Sequence, residues 1–142
     1  VRKFESGGND DGVNYTCAYL GQHQNMGMPG AQKTVAQMRV TFRFSTPISP
    51  LVTAKTDYSE TLSAPPSAGV DSSGDAVWGL GKWGAAKWGG GKVRSAQALW
   101  RAVGRTGYTI APEVQLTFGN VSKPKVELVG IDATFHVGAL VT

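Results

Sequence analysis

Val35-Ala-Gln-Met38-Arg39-Val40-Thr41-Phe42-Arg43-Phe44 carries the clearest period of two in the chain: Met38, Val40, Phe42 and Phe44 alternate with Arg39, Thr41 and Arg43. A strand sends successive side chains to opposite faces, so this stretch predicts a strand over 35–44 with one apolar and one polar face. Pro47 and Pro50 close it, because proline cannot donate to a ladder.

Outward from that strand the same signal repeats. Upstream, Gly21 to Lys33 contains Gly27, Pro29 and Gly30 and reads as a turn. Before it, residues 13–20 place Val13, Tyr15, Cys17 and Tyr19 on one side and Asn14, Thr16 and Ala18 on the other. That pattern predicts a half-buried strand, with Cys17 packed in it, after the turn-like Gly7-Gly-Asn-Asp-Asp-Gly12. Downstream, Val52, Ala54, Thr56 and Tyr58 alternate with Thr53, Lys55 and Asp57. After Trp100 the strand signals resume, with Tyr108 and Ile110 on one face, then Val114, Leu116 and Phe118 opposed by Glu113, Gln115 and Thr117. Gly119-Asn120 is a turn candidate, and Val126 and Leu128 open the last strands. The phase shifts across Gly130, so that Ile131, Ala133, Phe135 and Val137 become the apolar set, as a bulge there requires. No window sustains a helical period. Six or more short strands with Gly/Pro-rich connections predict one all-β domain, an antiparallel β-sandwich of jelly-roll-like or Ig-like kind.

One segment resists both periods. Trp78-Gly-Leu-Gly-Lys82, Trp83-Gly-Ala-Ala-Lys87 and Trp88-Gly-Gly-Gly-Lys92 are three copies of W-G-x-x-K end to end. Six of those fifteen residues are glycine, each about 0.8–1 kcal/mol worse than alanine in a helix. A period of five would send successive indoles to opposite faces of a strand. Ser59 to Val77 before the repeat is mostly Ser, Ala, Pro, Gly and Asp. Residues 59–99 therefore read as one long irregular Gly/Ser/Trp-rich excursion, and connections beyond about 12–15 residues inside a domain are usually functional or docked on a partner.

Charge points to the same place. Between Ala76 and Pro112 stand six cations (Lys82, Lys87, Lys92, Arg94, Arg101 and Arg105) and no acid, while the rest of the chain carries 8 basic against 10 acidic residues. The basicity is local, which is information about partners and not about fold. At 142 residues, with 41% apolar and 17% charged, the chain suits one core and no fibrous or disordered class. No apolar run approaches the ~20 residues of a spanning helix, so a soluble or at most peripheral protein without a membrane partner is expected. The start, Val1-Arg-Lys-Phe-Glu5, is neither an initiator methionine nor a secretory pattern, which fits a processed chain or one domain of a longer polypeptide. A lone Cys17 excludes an internal disulfide.

Signals for catalysis are close to absent. The chain has two histidines, His23 in a glycine-rich loop and His136 on the polar side of a strand, and both read as surface residues. Asn9-Asp-Asp-Gly12 and Asp71-Ser-Ser-Gly-Asp75 hold oxygen ligands but read as turn chemistry, without a calcium-loop ligand run. Gly89-Gly-Gly-Lys92 is followed by Val93 and is no phosphate cradle. No cofactor, metal or small-molecule substrate is expected, and no enzymatic activity. Three readings of the Trp/Lys segment remain. The indoles pack against this chain or a neighbouring subunit, with the lysines as a charged rim. They stack on bases of single-stranded nucleic acid while lysines track phosphates. Or they stack on a glycan.

The tryptophan repeats run into Trp100-Arg-Ala-Val-Gly-Arg-Thr-Gly-Tyr-Thr-Ile-Ala-Pro-Glu-Val-Gln-Leu-Thr117 and then Val126-Glu-Leu-Val-Gly-Ile-Asp132. Together these resemble a β-rich domain of tailed-bacteriophage structural proteins. The segment Asn9-Asp-Asp-Gly12 to Tyr15, the turn Met26-Gly-Met-Pro-Gly30 with Lys33, and the strand ending in Phe44 are similar to the opening of that domain. In short-tailed phages the resemblance is to tail nozzle or packaged-DNA stabilisation proteins, which assemble as symmetric rings below the portal. Such proteins are longer, with further β-rich domains, so this chain would correspond to a small relative or a piece. A head decoration, fibre-attachment or minor tail role fits the same resemblance. It implies a virion component, assembled in the host cytoplasm, whose partners are neighbouring copies, other virion proteins and DNA contacted through the basic loop. Trp78, Trp83, Trp88 and Trp100 would be the interface or ligand anchors, and Lys82, Lys87, Lys92 and Arg94 the charged rim.

Overall fold

The computed structural model describes residues 9–10, 13–44, 48–68, 94–97, 100–119 and 125–140, with side chains at 13–44, 48–68, 100–119 and 125–138. The described chain holds eight strands and no helix. These are β1 (Asn9–Asp10), β2 (Val13–Leu20), β3 (Ala31–Phe44), β4 (Leu51–Thr56), β5 (Arg94–Gln97), β6 (Arg101–Gly107), β7 (Ile110–Phe118) and β8 (Val126–Leu140). All pairings are antiparallel and form two sheets. One has the order β1-β2-β7-β4. The other is built on β3, which pairs with β8 along one edge and with β6 and then β5 along the other.

The alternation at 35–44 places the core. Val35, Met38, Val40 and Phe42 of β3 form one buried cluster with Val52 and Ala54 of β4 and Ile110 and Val114 of β7, so the two sheets share their apolar faces. Val35 and Met38 are three apart and would fall on opposite faces of a regular strand. A register shift between Val35 and Gln37 leaves Ala36 as the extra residue and returns both to the core side. A second shift, where Thr41 pairs with Gly130 and Phe42 with Leu128, makes Val129 a bulge beside Gly130 and accounts for the phase change there. Full burial of each large apolar side chain contributes about 1.5–3 kcal/mol.

Two buried charges tie loops to this frame. The Lys33 side chain is fully buried, and its ammonium donates to the carbonyls of Met28 at 2.7 Å, Ala31 at 2.8 Å and Tyr108 at 3.0 Å. All three donor hydrogens are thereby used, which is what makes its burial tolerable. Glu113 of β7 points away from the core and is also fully buried. Its carboxylate accepts from the Ser63 N–H at 2.7 Å, the Ser63 hydroxyl at 3.0 Å and the Gln115 amide at 2.6 Å, with the Lys55 ammonium at 3.2 Å. Burial alone pushes its pKa up. The hydrogen bonds from Ser63, Gln115 and Lys55 outweigh that and hold it below the ordinary value.

Several expectations change. The apolar side of β2 is not half-buried: Val13, Tyr15, Cys17 and Tyr19 are all exposed among the described residues. β3 starts at Ala31, four residues before the predicted strand, because the turn closes at Gly30 with φ +82°. Residues 108–109 form the bend between β6 and β7 and not a strand. Within the excursion of 59–99, residues 59–68 run without strand structure over Glu113, and Arg94–Gln97 form a short strand on β3. Asn120, Asp71–Asp75 and the pentapeptide repeat lie outside the described residues.

Candidate functional site

Six of the eight predicted interface residues, Trp78, Lys82, Trp83, Lys87, Trp88 and Lys92, lie outside the described residues. Arg94 opens β5, opposite Phe44 at the end of β3. Trp100 stands just before β6 and is 40% exposed. β5 and β6 follow one another along the same edge of β3, so Arg94 and Trp100 both lie along that edge.

Trp100 belongs to a small polar array on the sheet face turned away from the core. The Arg39 guanidinium lies 4.8 Å from its ring centroid and donates from Nε and Nη2 to Asp132 Oδ2 of β8, at 3.1 and 2.9 Å. The order Trp100, Arg39, Asp132 thus runs across three neighbouring segments. An exposed cation–π contact contributes about 0.5–1 kcal/mol and an exposed ion pair about 0–1 kcal/mol, so this array orients the indole more than it stabilises the fold. Arg43 and Glu127 pair at 3.5 Å further along, and the Thr34 and Thr106 hydroxyls meet at 2.8 Å. Arg101 and Arg105 of β6 are also exposed, but they oppose Met38 and Val35 and so stand on the other, core-side face.

The second feature is on the core side. In an antiparallel pair, opposed residues share a face. Tyr19 opposes the core residue Val114, so Tyr19, Cys17 and Tyr15 lie on the core face of their sheet. Phe135 opposes Val35 and Leu128 opposes Phe42, which puts Leu128, Phe135 and Val137 on the core face of the other sheet. These side chains are nonetheless uncovered: Tyr15 is 56% exposed, Tyr19 49%, Phe135 39% and Val137 43%. Both strands flank those that form the buried cluster, and their own core-face side chains are left uncovered. Exposed apolar patches of this kind mark interaction surfaces.

The histidines separate. His136 is exposed, as its place on the polar side of β8 requires. His23 is half-buried against Tyr58, ring centroids 5.0 Å apart, with Nδ1 at 3.4 Å from the Thr109 hydroxyl and Nε2 buried without a partner among the described residues. Among the described residues no three His, Cys, Asp or Glu side chains are grouped to hold a metal ion. No described helix is long and apolar enough to cross a membrane. Sequence reasoning missed Arg39 and Asp132, whose pairing spans 93 residues, and it missed the uncovered faces. The signal available for β8 was an apolar set of Ile131, Ala133, Phe135 and Val137 on the last strand of the chain. No protein-family model matches this sequence, and neither the curated proteins nor the solved structures contain a significant match to it.

Proposed function

We propose that this chain is a non-enzymatic structural component of a tailed-bacteriophage particle, of the tail-nozzle or head-to-tail kind. It acts as an antiparallel β-sandwich that assembles with copies of itself and other virion proteins through its Trp/Gly/Lys-rich segment. The observation that carries the reading is the uncovered apolar surface of β2 and β8, where Tyr15, Tyr19, Phe135 and Val137 stay in water although they lie on the core faces of their sheets. A neighbouring subunit removes that surface from water at about 25 cal/mol per Å². Trp100, half-exposed and oriented by Arg39, extends the same logic to the segment that ends beside it. The resemblance to phage structural proteins supplies the particle.

The test is self-association of a Trp83→Ala/Trp88→Ala variant. The expected result is weaker assembly, with the melting temperature of the monomer little changed. Lowered melting with unchanged assembly contradicts the reading.

A second role is favoured by Arg101 and Arg105, which are exposed on β6 and belong to the run of six cations without an acid. That surface suits DNA passing the assembly. Binding to single-stranded DNA should then fall steeply with salt, as counterion release dictates, and a contact indifferent to salt would instead indicate stacking on a neutral glycan.

A further inference from the structure

β8 is the longest of the described strands, 15 residues, and among the described residues it is paired along one edge only, to β3. Long edge strands are normally guarded by proline, lysine, an inward charge or repeated bulges. β8 holds no proline, lysine or arginine, and its two acids, Glu127 and Asp132, lie on the outer face, bound to Arg43 and Arg39 of β3. Its own extra residues fall at Val129 and between Val137 and Leu140, which leaves Gly130–Val137 regular.

We propose that this edge is a two-fold contact with the β8 of a second copy, antiparallel and centred on Thr134. The register follows from which side chains would meet. Centred there, Ile131 opposes Val137 and Ala133 opposes Phe135 on the core face, apolar against apolar and small against large. On the outer face Asp132 opposes His136, an acceptor against a donor, and Thr134 opposes itself. Moving the centre to Asp132 sets two carboxylates directly opposite, which is destabilising. Moving it to Phe135 stacks the two largest side chains on each other and leaves Asp132 across from Gly138. A Thr134 centre also keeps all seven paired positions, 131–137, within the regular stretch. The two sheets join through β3-β8-β8-β3, and the exposed flanks of Phe135 and Val137 gain neighbours from the partner strand. The occupant is a second copy because the edge complements itself under a two-fold axis, and such an isologous contact closes as a dimer. Growth beyond a dimer needs another surface, the role assigned above to the Trp/Lys segment, so the two contacts fail independently.

Light scattering on the full chain, across a concentration series, tests the contact with three variants. Thr134→Lys sets like charges together at the axis and should raise the dimer dissociation constant at least ~tenfold, with the circular dichroism and melting of the wild type. Trp83→Ala/Trp88→Ala should leave this dimer in place. In a Cys17→Ser background, Thr134→Cys should form a disulfide-linked dimer under mild oxidation, whereas Thr106→Cys, on the exposed outer face of β6, should not. A dimer insensitive to Thr134→Lys, or absence of the Thr134→Cys cross-link, overturns the contact even where assembly through the tryptophans persists. A wild-type chain that stays monomeric across the concentration series overturns it too.

Discussion

Glu113 and Lys33 show how single charged residues hold what the apolar core cannot reach. Neither looks buried in the sequence, because lysine and glutamate belong outside by default. Their partners are remote: Tyr108 lies 75 residues from Lys33, and Ser63 lies 50 from Glu113. Without a fold those contacts are invisible. Glu113 fastens residues 59–68 to β7, and its lowered pKa makes the fastening depend on pH. A carboxylate with a depressed folded pKa contributes stability that is complete above its unfolded value, about 4.3, and is lost as pH falls through the folded value. The protection factors of the 61–68 amides, taken against the intrinsic exchange rate at each pH, should therefore fall below about pH 4 while the amides of β3 stay protected. Glu113→Gln should destabilise by about 1–3 kcal/mol at neutral pH and abolish the acid step. Unchanged acid sensitivity in that variant would assign the step to another group.

At the scale of elements, the hinge between the β6-β7 bend and the end of β4 is the tightest joint. Asp57 accepts from the backbone N–H of Tyr108 at 2.7 Å and occupies φ +52°, a conformation that Asp tolerates better than most residues. A Cβ added at Gly107 would lie 2.6 Å from the Thr56 Cβ. Gly107→Ala should accordingly cost about 1–3 kcal/mol, read as a lowered denaturation midpoint, and a neutral result would show that β4 can retreat. Strands were the most legible part of this molecule. The alternations at 13–20, 35–44, 52–56 and 114–118 and the phase change at Gly130 correspond to β2, β3, β4, β7 and the bulge at Val129, whereas Asp57 and Tyr58, read into the third alternation, form the turn after β4. Alternation states that a face is apolar, not that anything covers it, and so it mistook the side of β2 that carries Tyr15 and Tyr19 for a buried one. β5 was illegible for a different reason: Arg94-Ser-Ala-Gln97 has no apolar pattern and is a strand because Phe44 to Thr41 pair with it. Trp100 was singled out by its residue type alone, whereas the Arg39 and Asp132 that orient it are visible only in the sheet.

On the scale of the whole molecule, apolar surface that faces the core is left uncovered at its flanks. Two sheets close over a compact cluster at β3, β4 and β7, and the far strands β2 and β8 carry core-face side chains beyond it. Local basicity between Ala76 and Pro112 sits on a chain that is otherwise slightly acidic, a charge division that suits the contact between copies proposed above. The most direct measurement is the molar mass of the purified full chain by light scattering over a wide concentration range, with the Trp83→Ala/Trp88→Ala variant beside it. The account predicts a defined multiple of the single-chain mass for the wild type and a smaller, at most dimeric, species for the variant. A single-chain mass for the wild type at every concentration would contradict it.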